Sequence, residues 1–483
     1  TRKESSAASD VYKRQVLGCS IYKLRAISLI ESIVICLISY ILALFIVNDL
    51  SYTPIANWVD ADIRLSQYKG LILLTALIAI LTGCLAGLYP AIRSSSYAPA
   101  LVLKGSFGLS PKGKKLRVAL IGFQYTVSIA LIIVTLFMGL QNHFMTSSEQ
   151  LGFNKDQVAI VNLTPEIYAK HKPQYIQKLK DYPGIEDVAF SVYELSKEDD
   201  MIDLEYARHE DKDVFFKVFY ASENFLSVMD IQVEEGRDFT REDLNKAQSD
   251  YIINPAAERD FHLHPGDRFN DRTVLGVSKD FRFNSCRIAS SPFVFALNND
   301  IPNPKLVSYI RFNSKTNLQE AVAHVRETLK EIDPTFPFEI SFYNTILNNL
   351  YQKEQTLGKL ISLFGIMAIL ISIVGVFGLV LFETQYRRKE IGIRKINGAT
   401  TGQILLMFNK TYIRIVSVCF IISIPIAWMG TQQWLENFAY KTPLHLWVFI
   451  VAFLIILSVT IGTVTFRNWQ AANENPVNSV KSE

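Results

Sequence analysis

Hydrophobic positions in this chain come in blocks. Six long apolar stretches fall at 27–47, 71–90, 118–140, 360–382, 411–430 and 446–466. An α-helix rises ~1.5 Å per residue and the hydrocarbon core of a bilayer is ~30 Å thick, so each stretch can cross as a helix. The pattern between the third and fourth stretches is different. Short β-branched runs at 158–162, 251–254, 273–277 and 307–311 read as strands. Residues 173–182 and 318–332 carry helical periodicity. Pro173 suits an opening turn, and Tyr175, Ile176, Leu179 and Tyr182 share one face. Thr316 and Asn317 precede the second helix as caps, with Glu320 three residues beyond Asn317. A polar helical stretch from 340 to 358 is expected to run into the fourth apolar stretch as one continuous stalk. The expected fold is an α-helical membrane protein with six transmembrane helices, plus an α+β extracytoplasmic domain at 141–357.

Composition sharpens this picture. Hydrophobic residues make up 49% of the chain and charged residues only 20%. Grouped as they are, they exclude a wholly soluble enzyme, a nucleic-acid binder and a disordered chain. The five cysteines, Cys19, Cys36, Cys84, Cys286 and Cys419, are scattered, with only Cys286 in the polar segment. Neither a disulfide framework nor a zinc cluster is expected from them.

The formal net charge of +3 conceals a split. Residues 141–357 hold 24 Lys and Arg against 35 Asp and Glu, whereas the rest of the chain holds 25 against 11. Loop 91–117 carries Arg93, Lys104, Lys112, Lys114, Lys115 and Arg117 without an acid. Loop 384–410 carries Arg387, Arg388, Lys389, Arg394, Lys395 and Lys410 against Glu390. Loop 48–70 is acidic on balance, and loop 431–445 has one charge of each sign. Basic loops therefore alternate, as consecutive crossings require. The positive-inside rule places both basic loops and the C-terminus in the cytoplasm and 141–357 outside.

An internal repeat organises the ends of the chain. Lys395-Ile-Asn-Gly-Ala-Thr400 parallels Gln15-Val-Leu-Gly-Cys-Ser20, and Asn475-Pro-Val-Asn-Ser-Val-Lys481 parallels Ala98-Pro-Ala-Leu-Val-Leu-Lys104. Each copy runs through an amphipathic stretch, a span, an outside loop and a second span. Residues 1–15 resemble nothing that follows and read as a non-native join. Residues 16–117 then read as the later part of a first unit, 118–140 as a span, and 358–483 as a second unit. The first unit is expected to have lost its opening span and its own ectodomain.

Catalytic motifs are not found. Gly108-Leu-Ser-Pro-Lys-Gly113-Lys114 imitates a phosphate loop, but Lys115 stands where Ser or Thr would hold magnesium. His262 and His264 could share a strand face, although no cysteine accompanies them. Acidic pairs such as Asp199–Asp200 and Asp211 with Asp213 suit a solvated face. Glu31, Glu383, Lys410 and Arg414 lie near span ends, where snorkelling explains them. Gly83-x-x-x-Gly87 suits close helix approach, as do Ser128, Ala130, Gly365, Ala368, Ser372, Gly375 and Gly378 in the third and fourth spans.

The loop Arg387-Arg-Lys-Glu-Ile-Gly-Ile-Arg-Lys-Ile-Asn-Gly-Ala399 closely resembles the signature of FtsX-like, MacB-type ABC transporter permeases. The tail with Asn475-Pro-Val477 and Val480-Lys481 is similar to the end of that family's permease domain. Gly236-Arg-Asp-Phe239, Ile253-Asn254 with Ala257-Glu-Arg259, Leu275-Gly-Val-Ser-Lys-Asp-Phe281, and Phe342 with Leu350-Tyr351 and Glu354 resemble its extracytoplasmic core domain. Pro255 departs from the polar or acidic residue expected there. The resemblance covers most of 16–483 and points to the eight-span subtype with two permease units.

That resemblance implies a bacterial inner-membrane, multi-pass, non-catalytic subunit. A separate ABC ATP-binding subunit would hold ATP and magnesium, and this chain would bind no cofactor and no nucleic acid. Docking falls to Arg388, Lys389, Glu390, Ile391, Gly392, Arg394, Lys395, Gly398 and Ala399. Read by its residues alone, the same basic amphipathic helix could equally lie on anionic membrane lipid. The family role is mechanotransmission, for export or extraction of a substrate such as an antimicrobial peptide, macrolide or lipoprotein. An outer-membrane or periplasmic partner is expected with it. The alternative is a transmembrane regulator of a cell-wall hydrolase or a sensor system.

Overall fold

The structure, a computed structural model, describes residues 20–53, 65–94, 111–147, 151–196, 203–282, 285–297 and 306–473. The suspected join at 1–15, the repeat's first Gln15-Val-Leu-Gly-Cys run and both tails lie outside these residues. Three helices open the described chain: α1 (Ile21–Leu50), α2 (Lys69–Ser94) and α3 (Pro111–Thr146). A mixed segment follows, with β1 (Val158–Leu163), α4 (Lys172–Lys180), β2 (Ile185–Ser191), β3 (Asp203–His209) and β4 (Lys212–Ala221). It continues through α5 (Phe225–Met229), β5 (Val233–Gly236), β6 (Tyr251–Ile253), α6 (Pro255–Phe261), β7 (Arg268–Phe269) and β8 (Arg272–Ser278). It closes with β9 (Phe293–Leu297), β10 (Leu306–Phe312), α7 (Leu318–Ile332), β11 (Ile340–Phe342) and α8 (Tyr343–Leu350). Last come α9 (Gln352–Tyr386), α10 (Arg388–Ile396), α11 (Thr401–Leu435) and α12 (Leu446–Ala472).

Among the described residues, six helices are long and apolar enough to cross a membrane: α1, α2, α3, α9, α11 and α12. They contain the six apolar stretches of the sequence and extend beyond them. Contacts divide the chain into two compact units. One takes in the chain up to Ser128, Ile366–Cys419 and everything from Ile456. The other takes in Ile129–Gly365 and Phe420–Ile455.

In the first unit, small and hydroxyl residues set helix contacts. A Cβ added at Gly83 would come within 2.8 Å of the Ile33 Cα, and one at Gly87 within 2.8 Å of the Ser32 Cβ. The two glycines thus let α2 press against α1, as the four-residue spacing suggests. Tyr40 adds a hydrogen bond from its hydroxyl to the Ile72 carbonyl at 2.7 Å. Buried hydroxyls join the other helices. Ser128 and Ser372 meet at 3.0 Å between α3 and α9. Thr460 of α12 donates to Tyr125 of α3 at 2.9 Å, and Thr384 of α9 donates to Asn468 of α12 at 2.7 Å. Lipid cannot satisfy such groups, so each needs a partner inside the protein.

The second unit is built on one mixed sheet in the order β11-β1-β10-β2-β4-β9-β6-β8-β5, with β3 beside β4 and β7 beside β8. Strand alternation decides what covers each face. Val158 and Ile160 of β1 enter one core with Ala189, Phe219, Phe295 and residues of α5 and α8. Ala159 and Val161 enter another with Tyr175 and Leu179 of α4 and Val325 and Leu329 of α7. A third cluster packs Phe216, Val218 and Ile253 under Ala257 and Phe261 of α6. Strands β1, β2, β10 and β11 with α4 and α7 form a split β-α-β pair.

The four expected strands and the 318–332 helix are present. Asn317 caps α7 by accepting from the Gln319 N–H at 3.1 Å. The helix expected from Pro173 begins one residue earlier, at Lys172, and a π-helical turn at Ile167–His171 precedes it. The continuous stalk over 340–358 is not what forms. Residues Ile340–Phe342 are the edge strand β11, paired antiparallel to β1. Tyr351 then breaks the helix between α8 and α9, with φ −108 and ψ 15. Two buried tyrosines explain the break. Tyr343 is fixed in the sheet core and Tyr351 packs against Met145, Cys286 and Phe438.

Candidate functional site

The basic loop contains a helix of nine residues, α10. Glu390 sits in its first turn and Arg394 and Lys395 in its last, an arrangement that suits the helix dipole. Its end is fixed by a Schellman motif. Gly398 adopts φ +86, its N–H reaches the Lys395 carbonyl, and the Ala399 N–H reaches the Arg394 carbonyl at 2.9 Å. The next helix is capped at once. Thr400 accepts from the Gln403 N–H at 3.3 Å, and the Gln403 side chain accepts from the Thr400 N–H at 3.1 Å. Gly398 therefore stops α10, and α11 starts at Thr401.

The site residues divide by face. Ile391 is 4% exposed, so it anchors the helix and offers no area to a partner. This corrects the expectation that Ile391 forms part of an exposed apolar surface. Gly392 is also buried. Ile393 and Ile396 are 55% and 65% exposed. Arg394 is exposed and holds Glu390 through Nη2 at 2.8 Å and Nε at 3.2 Å. Lys395 and Ala399 are half-buried and Gly398 is exposed. The backbones of Arg388 and Lys389 are helical, and their side chains lie outside the described ones. Arg387 was not singled out as a site residue. It pairs with Glu383 at 3.1 Å and lies over the Phe408 ring, tying the loop to α9 and α11.

A second cluster was not foreseen as a site. In the second unit, residues 285–291 between β8 and β9 meet the head of α9 and the link between α11 and α12. Arg287 pairs with Glu354 at 2.7 Å, and Glu354 is buried. The Tyr351 hydroxyl accepts from the Cys286 N–H at 3.1 Å, and the Tyr440 N–H donates to the Cys286 carbonyl at 3.1 Å. Gln141 of α3 clamps the same link, donating to the Tyr440 carbonyl at 3.0 Å and accepting from the Thr442 N–H at 2.8 Å. Burial pushes the Cys286 thiol up, which keeps it protonated and structural. The sequence carried a signal here. Leu350-Tyr351 and Glu354 belonged to the resemblance, but their partners lie far away in the chain.

Other motifs resolve into structure. Gly236 takes φ +80 with no room for a Cβ beside the Leu275 carbonyl. Arg237 binds Asp243 through two nitrogens at 2.7 and 2.8 Å, which holds the Asp243 carboxyl well below the usual range. Asn254 caps α6, accepting from the Ala257 N–H at 2.9 Å, and Pro255 occupies the first helical turn, where proline is favoured. His262 ends α6 in the left-handed region at φ 53, so His262 and His264 do not share a strand face. His264 instead approaches Glu258 at 3.7 Å at the surface. The start of the phosphate-loop imitation lies outside the described residues, and from Pro111 onward it is helix.

Residues 362–476 match the family model described as FtsX-like permease C-terminal. Over this segment the chain is similar to FtsX-like permeases. The chain is 25% identical over 212 residues to the macrolide export ATP-binding/permease protein MacB of Aggregatibacter actinomycetemcomitans, covering 41% of this chain and 32% of that protein. It is 25% identical over 223 residues to the protein of the same name in Neisseria gonorrhoeae, covering 43% and 34%. The chain thus spans about a third of the length of these curated relatives. Among solved structures it is similar to the periplasmic region of MacB from Actinobacillus actinomycetemcomitans. There the identity is 15%, the coverage 41% of this chain and 94% of that one, and the TM-score 0.31. It is also similar to the extracellular domain of the noncanonic ABC-type transporter YknZ from Gram-positive bacteria, with 17% identity, 38% and 99% coverage and a TM-score of 0.29.

Proposed function

We propose that this permease is the membrane subunit of an ABC transporter that works by mechanotransmission in a bacterial inner membrane. A separate ATPase, which holds the ATP and magnesium, docks on α10. The observation that carries the reading is the exposed face of that helix. Ile393, Ile396 and Arg394 project from a helix held by Ile391 and closed at its C-terminal end by Gly398. A rigid amphipathic knob of this kind fits a groove on a soluble partner. The excess of Lys and Arg in loops 91–117 and 384–410 puts α10 in the cytoplasm and the sheet domain outside.

Movement imposed on α10 passes into α9 through Arg387 and Glu383. On the outer side, α9 is bound to the sheet domain through Glu354 and Arg287. The function is export or extraction of a substrate such as an antimicrobial peptide, macrolide or lipoprotein from the outer side, with an outer-membrane or periplasmic partner. The chain itself has no catalytic role.

The test is to express the full chain in its native membrane, purify it in mild detergent and identify what accompanies it by mass spectrometry. An ATPase with a phosphate-binding loop is expected, and it is lost when Arg394 and Lys395 are both changed to Glu. Absence of any ATPase, even after cross-linking, overturns the reading.

A further inference from the structure

The hairpin of β3 and β4 has no role in the machinery described so far. Its turn residues Glu210 and Asp211 take φ 49 and 62, the two-residue turn that fits the twist of paired strands. His209 and Lys212 close that turn as a hydrogen-bonded pair, and bonded pairs alternate from there along the ladder. Ala207 and Glu205 therefore commit their main-chain groups to β4, whereas Leu204, Tyr206 and Arg208 turn theirs to the outer edge of β3. Among the described residues no strand pairs with that edge. Prolines and bulges commonly guard an exposed edge. Strand β3 has neither: its register to β4 is unbroken, and 203–209 contains no proline.

The same residues carry an open apolar face. Leu204 and Tyr206 of β3 and Phe215 of β4 are each more than half exposed. Tyr206 stands opposite Phe215 with ring centroids 5.9 Å apart, and its hydroxyl donates to Asp213 at 3.1 Å, which fixes the ring on this face. An edge and a face open together call for an added strand, and the charges of β3 say which one. The strand begins with Asp203 and Glu205 and ends with Arg208 and His209. An antiparallel copy of β3 sets the acidic start of each strand against the basic end of the other, whereas a parallel copy sets like against like. With Tyr206 on the two-fold axis, Leu204, Tyr206 and Arg208 all meet residues with free main-chain groups. A shift of register either way leaves one of the three without a counterpart.

We infer that β3 is the contact strand between two copies of this chain, joined antiparallel into one continuous sheet about a two-fold axis through Tyr206. Tyr206 exchanges N–H and carbonyl with Tyr206 of the second copy, and Leu204 does so with Arg208 of the second copy. Phe215 and Tyr206 of both copies then form one aromatic row, and Leu204 packs along the stem of the facing arginine. The contact is smaller than the ~1,600 Å² of a standard interface, so it forms between copies that one membrane holds together rather than free in solution. The inference is independent of what docks on α10.

The experiment places one added cysteine in the full chain in its native membrane, oxidises mildly and reads disulfide-linked dimer on a non-reducing gel. Wild type sets the background from the chain's own cysteines. Dimer yield is expected to be about tenfold higher for Tyr206→Cys than for Phe215→Cys, because the first pair lies ~5.5 Å apart at Cα and the second ~14 Å, beyond the ~7 Å reach of a disulfide. Both side chains are comparably open, so chance collision would link the two alike. Leu204→Pro, added to Tyr206→Cys, removes an N–H that β4 does not use, and the dimer is expected to fall to the level of Phe215→Cys. The comparison of Tyr206→Cys with Phe215→Cys stands whether or not Leu204→Pro alters the melting temperature. Equal yields from those two variants, no dimer above wild type from Tyr206→Cys, or linkage of Tyr206→Cys to a different polypeptide overturns the assignment. An unchanged yield with Leu204→Pro also overturns it, by showing that the edge of β3 makes no main-chain bonds to the second copy.

Discussion

At the scale of single residues, Asp243 shows how a surface loop becomes rigid. Its carboxylate accepts from Arg237, from the Thr240 N–H and hydroxyl, and pairs with Lys246. Its folded pKa is depressed, chiefly by the Arg237 hydrogen bonds. A depressed acid adds stability that is fully present above its unfolded pKa of ~3.9 and is lost as pH falls below it. Thermal melts of the full chain in detergent therefore lose stability as pH is lowered from about 4. Asp243→Asn is less stable at neutral pH and loses less on acidification through that window. Gly236 gives a second prediction. At φ +80, with the Leu275 carbonyl where a Cβ would sit, Gly236→Ala costs about 1–3 kcal/mol in the same melts. Both positions belong to the Gly236-Arg-Asp-Phe239 motif. The motif was legible as a resemblance, whereas Asp243, six residues after Arg237, was not, because nothing local marks it as the partner.

At the scale of elements, helices were more legible than strands. Long apolar blocks and the Gly398–Thr400 punctuation announce α9 through α12, since lipid and cap chemistry act locally. The hairpin of β3 and β4 was not foreseen. Its outer face carries Leu204, Tyr206 and Phe215 in the open, so the usual polar alternation is blurred. The stalk failed for a related reason. Residues 340–342 read as helix but find an open edge on β1, and pairing decided the outcome. Helix α10 was legible as an element, yet Ile391 faces inward, because apolar spacing alone cannot say which isoleucine points at the protein. This division predicts opposite phenotypes. Ile393→Asp or Ile396→Asp folds normally and weakens ATPase co-purification by about 2 kcal/mol, roughly 30-fold, the worth of one buried Ile. Ile391→Asp instead lowers the melting temperature of the chain itself.

At the scale of the whole molecule, the contact between residues 285–291 and the membrane-proximal residues is where sequence reading ran out. Arg287 and Glu354 are 67 positions apart, and Cys286 and Tyr440 lie farther still. Long-range polar pairs leave no periodicity to detect. If movement reaches the outer domain through this junction, breaking it uncouples the two sides without affecting docking. Glu354→Gln is expected to retain the ATPase on purification and to lose substrate-dependent stimulation of ATP hydrolysis in liposomes. The acid is buried, so the change also costs about 1–3 kcal/mol in melts. A variant that still couples fully would show that the junction only holds the domain in place.

The hydroxyl caps carry a further consequence. Ser20 accepts from the Lys23 N–H at the start of α1, and Thr400 accepts from the Gln403 N–H at the start of α11. The acceptors are 380 positions apart, and so are the donors. The two helices thus open on the same kind of hydroxyl cap. The same lesion, Ser20→Ala or Thr400→Ala, can be placed in either within an otherwise identical background. A difference between the two outcomes measures how unequally the two helix starts bear on the stability of the chain.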